Sequence, residues 1–135
     1  MAATPYNSSI MNLSKLKTAV VVAGALMLPG LGHLILGKWI RALLFAFAIL
    51  SLFCLGLAVE GRLHGLDASE FIAMLYFFAD VSNGLPYLLA RNWGYGGGNP
   101  QNQSFEYGNT FLAVAGLLNL LVVLNAFDIA VGRKK

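Results

Sequence analysis

The residues able to do chemistry in this chain are few, and they stand in apolar surroundings. Asp80 and Asn83 lie one helical turn apart, Asn119, Asn125 and Asp128 follow near the C-terminal end, and His33 closes the run Pro29-Gly30-Leu31-Gly32-His33. A charge or amide in hydrocarbon is costly, so each of these side chains should face other helices, a partner or a water-filled path. Asp80, together with Asp128, offers an ion or proton path. The same groups also suit hydrogen bonding between helices, and two facts favour that packing role: no basic residue is expected at the depth of Asp80, and no third carboxylate continues a relay. Asp80 and Asn119 are expected at similar depths on neighbouring helices, close enough to pair. Asp128 sits nearer the edge, within reach of Arg133. His33 could fill the gap left by broken helical hydrogen bonds, or be an axial ligand to a haem or chlorophyll-type pigment. The chain has no His-x-x-x-His or Glu-x-x-His pair and no serine set between glycines, so catalysis is not expected.

These residues are carried by long apolar blocks. Of the 135 residues, 58% are hydrophobic and 11% charged. The blocks run Leu16–Leu36, Ala42–Val59, Phe71–Ala90 and Phe111–Val131, each about the ~20 residues a helix needs to cross ~30 Å of hydrocarbon. The second is apolar all round, unlike a helix with one wet face. Alternating barrel strands are absent, so the expected fold is all-α: one bundle of four transmembrane helices over residues 16–135, preceded by a mobile tail over 1–15. Pro29, Gly30 and Gly32 should kink the first helix, and Pro86 should bend the third.

Four crossings put both termini on one side with Lys15, Lys17, Arg62, Arg133, Lys134 and Lys135. The positive-inside rule makes that side the cytoplasm of a bacterial inner membrane. A rival topology, in which Leu16–Leu36 is a re-entrant hairpin broken at Pro29 and Gly30, brings Lys38 and Arg41 inside but sends the basic tail out. The joints differ in kind. Gly37–Arg41 is a tight turn with Trp39 near the interface. Glu60–Glu70 is polar, and Asp67 or Ser69 is placed to cap the next helix. Asn92–Asn109, with its run Gly94-Tyr95-Gly96-Gly97-Gly98-Asn99-Pro100, is expected as a flexible loop on the opposite side from Glu60–Glu70, its ends held by Trp93, Tyr95, Phe105 and Tyr107 at the headgroups. It lacks the strand and the Gly-Lys-Ser/Thr ending of a phosphate loop. The scattered basic residues do not form a nucleic-acid surface, and the single Cys54, within the second block, suits packing. No second half repeats the first in sequence.

The stretch Pro29-Gly30-Leu31-Gly32-His33-Leu34-Ile35-Leu36-Gly37-Lys38 resembles the hairpin signature of small bacterial membrane proteins related to the TM-two hairpin domain. The closing stretch from Asn119 through Asn125-Ala126-Phe127-Asp128 to Arg133-Lys134 is similar to the last helix of an uncharacterised bacterial family of four-pass proteins with that hairpin. The resemblance implies the membrane fold and brings no activity with it. The expected function is that of a non-enzymatic accessory or structural subunit, packed in the lipid bilayer against other membrane proteins or against itself. A small ion or proton channel or transporter using Asp80, and a haem- or chlorophyll-binding subunit using His33, are the alternatives.

Overall fold

A computed structural model describes residues 5–66 and 69–135, with side chains from residue 8 onward. Six helices follow in order: α1 Pro5–Met27, α2 Leu31–Ile35, α3 Trp39–Ala58, α4 Phe71–Val81, α5 Leu85–Asn92 and α6 Phe105–Ala130. Among the described residues the only extended pairing is an isolated bridge between Arg62 and Gly97. Large apolar residues such as Leu44, Phe47, Phe71 and Leu121 point outward, at 63%, 75%, 74% and 61% exposure. An apolar outer surface of that extent has lipid as its natural solvent. Three helical stretches, Ser8–Met27, Trp39–Ala58 and Phe105–Ala130, are long and apolar enough to cross a membrane, and the broken pair α4 and α5 is apolar enough to be counted with them as a fourth.

The core forms along α6. Leu112, Ala115 and Val122 pack with Ile49 and Phe53 of α3, and farther along Val123 and Ala126 pack with Val21 and Ala25 of α1. Close approach depends on missing side chains: a Cβ on Gly108 would strike the backbone of Gly61, and one on Gly56 would meet Leu112. The α3 helix runs antiparallel to α6, since Gly56 lies at Leu112 while, at the other end, Arg41 donates to the Lys135 carbonyl at 3.0 Å.

Hydropathy alone misses how the first and third apolar blocks turn. The expected first span over 16–36 is instead α1, which already begins at Pro5 inside the stretch expected to be a mobile tail, and α2. Between them the chain reverses: a Cβ on Gly24 would lie against Leu31 and Ile35, and one on Gly32 against Ala25 and Val21. Residues eleven apart in one continuous helix would be about 16 Å apart, so this is a hairpin, not a kink. Gly30, with φ 85°, makes the turn. The third block likewise splits into α4 and α5, bent by 106° at the break. The break is at Ser82–Gly84, with Gly84 at φ 71°. Pro86, expected to bend the helix, sits in the first turn of α5, where a missing amide leaves no hydrogen bond unmade.

The two tips meet. A Cβ on Gly84 would collide with the carbonyl of Leu26, and one on Gly116 with the carbonyl of Ala79, so both tips lie beside the middle of α6. The two halves therefore share one order, helix, glycine turn, short helix and long helix, with α3 and α6 running in opposite directions. Packing does not repeat this likeness, because α1 and α4 both lean on α6.

The reversal of α4–α5 also brings together two joints expected on opposite sides. Leu63 donates its amide to the Gly96 carbonyl at 2.9 Å, Asn99 to that of Glu60 at 3.3 Å, and the Asn102 side chain to the Glu60 carboxylate at 3.0 Å. The glycine-rich segment is thus tied to the Glu60–Leu66 joint at one end of the molecule, here called distal. The start of α1 and the C-terminal tail mark the other, proximal end. The expected cap Asp67 lies outside the described residues, and the N-cap position of α4 is taken by Glu70, which makes no side-chain cap bond.

Candidate polar site at the meeting of the two hairpins

The site is built at the inner ends of α4 and α1. Asp80, fully buried in the last turn of α4, accepts two hydrogen bonds on Oδ2, from the His64 backbone amide at 2.8 Å and from His64 Nδ1 at 3.0 Å. With Asp80 ionised, its oxygen can only accept, and Nδ1 is the donor. The imidazole stacks on Tyr76, with ring centres 4.8 Å apart. Tyr87 donates its hydroxyl to the His64 carbonyl at 3.0 Å, and Arg91 donates to the Tyr87 oxygen at 2.6 Å. The chain His64, Tyr87, Arg91 thus clamps the distal joint over Asp80. The expected Asp80–Asn119 pair is not formed. A residue of the joint just before α4, expected at the membrane edge and not at the depth of Asp80, supplies the partner instead, and Tyr87 and Arg91 come with it; the spacing along the sequence does not point to these three.

Asn119 does something else. Its Nδ2 donates to the Ser82 carbonyl at 2.7 Å and the Ala25 carbonyl at 3.4 Å, joining the last turns of α4 and α1. Asn83 Nδ2 bonds the carbonyls of Asp80 at 3.1 Å and Leu112 at 3.3 Å. Both donors of the junction are satisfied by main chain. Four buried side-chain atoms are not: Asp80 Oδ1, Asn83 Oδ1, Asn119 Oδ1 and His33 Nδ1. Three of these are oxygens around one helix end. Buried acceptors without donors are unusual, and they are the strongest local sign of chemistry here.

His33 and Asn125 form a separate pair on the proximal side, with Nε2 and Oδ1 at 2.8 Å. Nε2 must donate, because an amide oxygen only accepts. The ring meets Phe45 edge-on at 4.9 Å and has no exposed surface. An axial ligand to a haem or chlorophyll needs a ring nitrogen open to the group; Nε2 is taken by Asn125 and Nδ1, though unpartnered, is enclosed, so the packing around His33 leaves no opening for such a group. Among the described residues no three His, Cys, Asp or Glu side chains gather as metal ligands. Asp128 lies at the proximal edge with Lys134 at 3.5 Å and Arg133 at 3.8 Å, the solvated pairing its position implies.

His64 also lines a cavity of about 760 Å³ at the distal end, with Arg62, Glu70, Arg91 and the Gly94–Gly97 turn. Asp80 is not among the lining residues; it meets the imidazole at the Nδ1 edge, while a ring face is covered by Tyr76. His64 thus touches both the cavity and the junction.

Comparison with known proteins adds a lineage. A family model described as a family of unknown function, DUF6677, matches residues 19–135, and the chain belongs to that family. No curated protein and no solved structure matches it.

Proposed function

We propose that this DUF6677 member is a small, non-enzymatic integral membrane protein that passes protons or small cations, and that α1–α2 and α4–α5 are half-membrane hairpins inserted from opposite faces. The observation that carries the reading is the buried His64–Asp80 pair beside unpartnered oxygens, at the point where the two tips meet. Interrupted helices meeting near the midplane, in halves of opposite direction, are the usual architecture of ion and solute sites in transporters. An ionisable residue at that depth is by default a functional one.

Charge supports the topology. With two re-entrant hairpins and two full crossings, α3 and α6, both termini share the proximal side with Lys15, Lys17, Lys38, Arg41, Arg133, Lys134 and Lys135, seven of the nine basic residues. The distal side keeps Arg62 and Arg91 and gathers Glu60, Glu70 and Glu106. Four full crossings, or a single hairpin, each strand part of the basic set outside. The positive-inside rule then puts both termini in the cytoplasm of a bacterial inner membrane. The likeness of Pro29–Lys38 to the TM-two hairpin belongs to the same proposal.

Reconstitution in liposomes tests the function: an imposed voltage or pH gradient drives flux that Asp80→Asn abolishes, and a wild-type protein as tight as empty liposomes refutes it. A second reading, an accessory subunit packed against another membrane protein or a second copy, draws on α1. Only 11% of its apolar window is buried within the chain, against 39% for α6. Co-purification of a stoichiometric membrane partner with a flux-silent protein would favour that reading.

A further inference from the structure

We propose that the junction of the two hairpin tips binds one dehydrated monovalent cation of the sodium class, with Asp80 as its counter-charge; the proposal deepens the transport reading and rests on it. Three observations converge. First, Asp80 Oδ1, Asn83 Oδ1 and Asn119 Oδ1 are all buried and all lack a hydrogen-bond donor. Asn83 follows Asp80 by one turn, and the amide group of Asn119 is fixed to Ser82, so all three oxygens belong to side chains held at the same end of α4. Oxygen acceptors with nothing to accept are what a hard cation completes.

Second, the ends that meet here are two helix C-termini. The last carbonyls of α1 come up to Gly84, and those of α4 to Gly116 and Asn119. Each C-terminus contributes roughly half a negative charge, and neither helix has a basic residue in its last turn. The opposing N-terminus of α5 is weakened by Pro86, which has no amide to present. Broken helices turn carbonyls and C-terminal ends toward sodium in this way.

Third, the charge count selects the class. The site has one carboxylate, and its remaining oxygens are neutral amides and carbonyls. A divalent ion usually takes several carboxylates or keeps much of its water, whereas one carboxylate with neutral oxygens balances one positive charge. The groups facing Asp80 are His64, held on Oδ2, and beyond it Tyr87 and Arg91, which bond each other. Arg91 is therefore separated from the carboxylate by both Tyr87 and His64, and no salt bridge from a lysine or arginine reaches Asp80 among the described residues. His64, on the cavity side, is the gate through which an ion from the distal vestibule would reach Oδ1.

The test is thermal unfolding of the purified protein in lipid nanodiscs, followed by the fluorescence of Trp39 and Trp93, in sodium, potassium or choline chloride at equal ionic strength. Binding of radiolabelled sodium is measured alongside. Sodium should raise the midpoint saturably over choline, and lowering the pH should weaken the effect as protons compete for Oδ1. Asp80→Asn, compared with wild type for folding in choline, should lose both the shift and the bound label. Wild-type protein indifferent to cation identity, or an Asp80→Asn protein that responds like wild type, overturns the site. Should Asp80→Asn fail to fold, the pH competition on the unaltered chain decides. Failure of the site and failure of the transport reading remain distinct: saturable sodium binding in a protein that carries no flux overturns transport and supports the site, while proton flux with no sodium response overturns the site alone.

Discussion

The two hairpins solve one problem with different chemistry. Each must reverse a helix in apolar surroundings and satisfy the carbonyls left at its tip. The first turns at Pro29-Gly30, and its polar side chain, His33, is fully buried and bonded to the amide of Asn125. The second turns at Ser82-Asn83-Gly84 and pairs Asp80 with His64, whose other side meets a polar cavity. Both hairpins are anchored by a histidine to a partner far along the chain. Of the two histidines, His33 has no exposed surface and His64 lines an open cavity. Under the proposed function, the first hairpin is a scaffold and the second holds the working group.

Several changes would break or sharpen that contrast. The largest effect is expected where the tips touch. Gly84→Val places a branched side chain at positive φ against the Leu26 carbonyl, and overpacking plus left-handed strain should together cost roughly 2–5 kcal/mol. Loss of a monodisperse peak and a lower unfolding midpoint in detergent would register it. Next, Asn119→Leu unties both tips at once, and interhelical hydrogen bonds in membranes are worth about 0.6–2 kcal/mol each; a fall of that order in denaturant stability checks it. The contrast itself is tested by His33→Phe against His64→Phe. Each should lose about 1 kcal/mol of stability, but only His64→Phe should alter flux and its pH dependence; equal effects on flux would remove the distinction between scaffold and working hairpin. The smallest effect belongs to Gly97→Ala, where an added Cβ meets open space, so stability should change by less than about 0.5 kcal/mol.

Composition and block length were enough to read the all-helical character with helices apolar enough to span a membrane, the long helices now seen as α3 and α6, and the inward-facing contacts of Asp80, Asn83, Asn119 and Asn125. The direction of the chain was not legible. A window of apolar residues measures length and does not register a change of direction, so the turn at Gly30 and the bend at Gly84 inside the two blocks are invisible to it. The bend at Gly84 is what brings the Glu60–Glu70 joint to the glycine-rich segment; His64 escapes for another reason, a joint residue being expected at the membrane edge and not at the depth of Asp80. Two signals were available. Gly30 and Gly84 stand at comparable places in the two blocks, and only a double reversal collects Lys15, Lys17, Lys38, Arg41 and the basic tail at one end. Depth alone paired Asp80 with Asn119; what depth lacks is azimuth, and Asn119 turns its amide to two main-chain carbonyls.

The groove between α3 and α5, lined by Leu50, Phe53, Cys54, Leu57, Leu89 and Trp93, has a practical corollary. Its thiol is the chain's single cysteine, is exposed, and is surrounded by apolar neighbours. A lipid-soluble maleimide should label it, and a water-soluble one should not. An environment-sensitive dye installed there would share its wall with the working hairpin and brighten or dim as α5 shifts, giving a fluorescent reporter of motion in the unmutated protein.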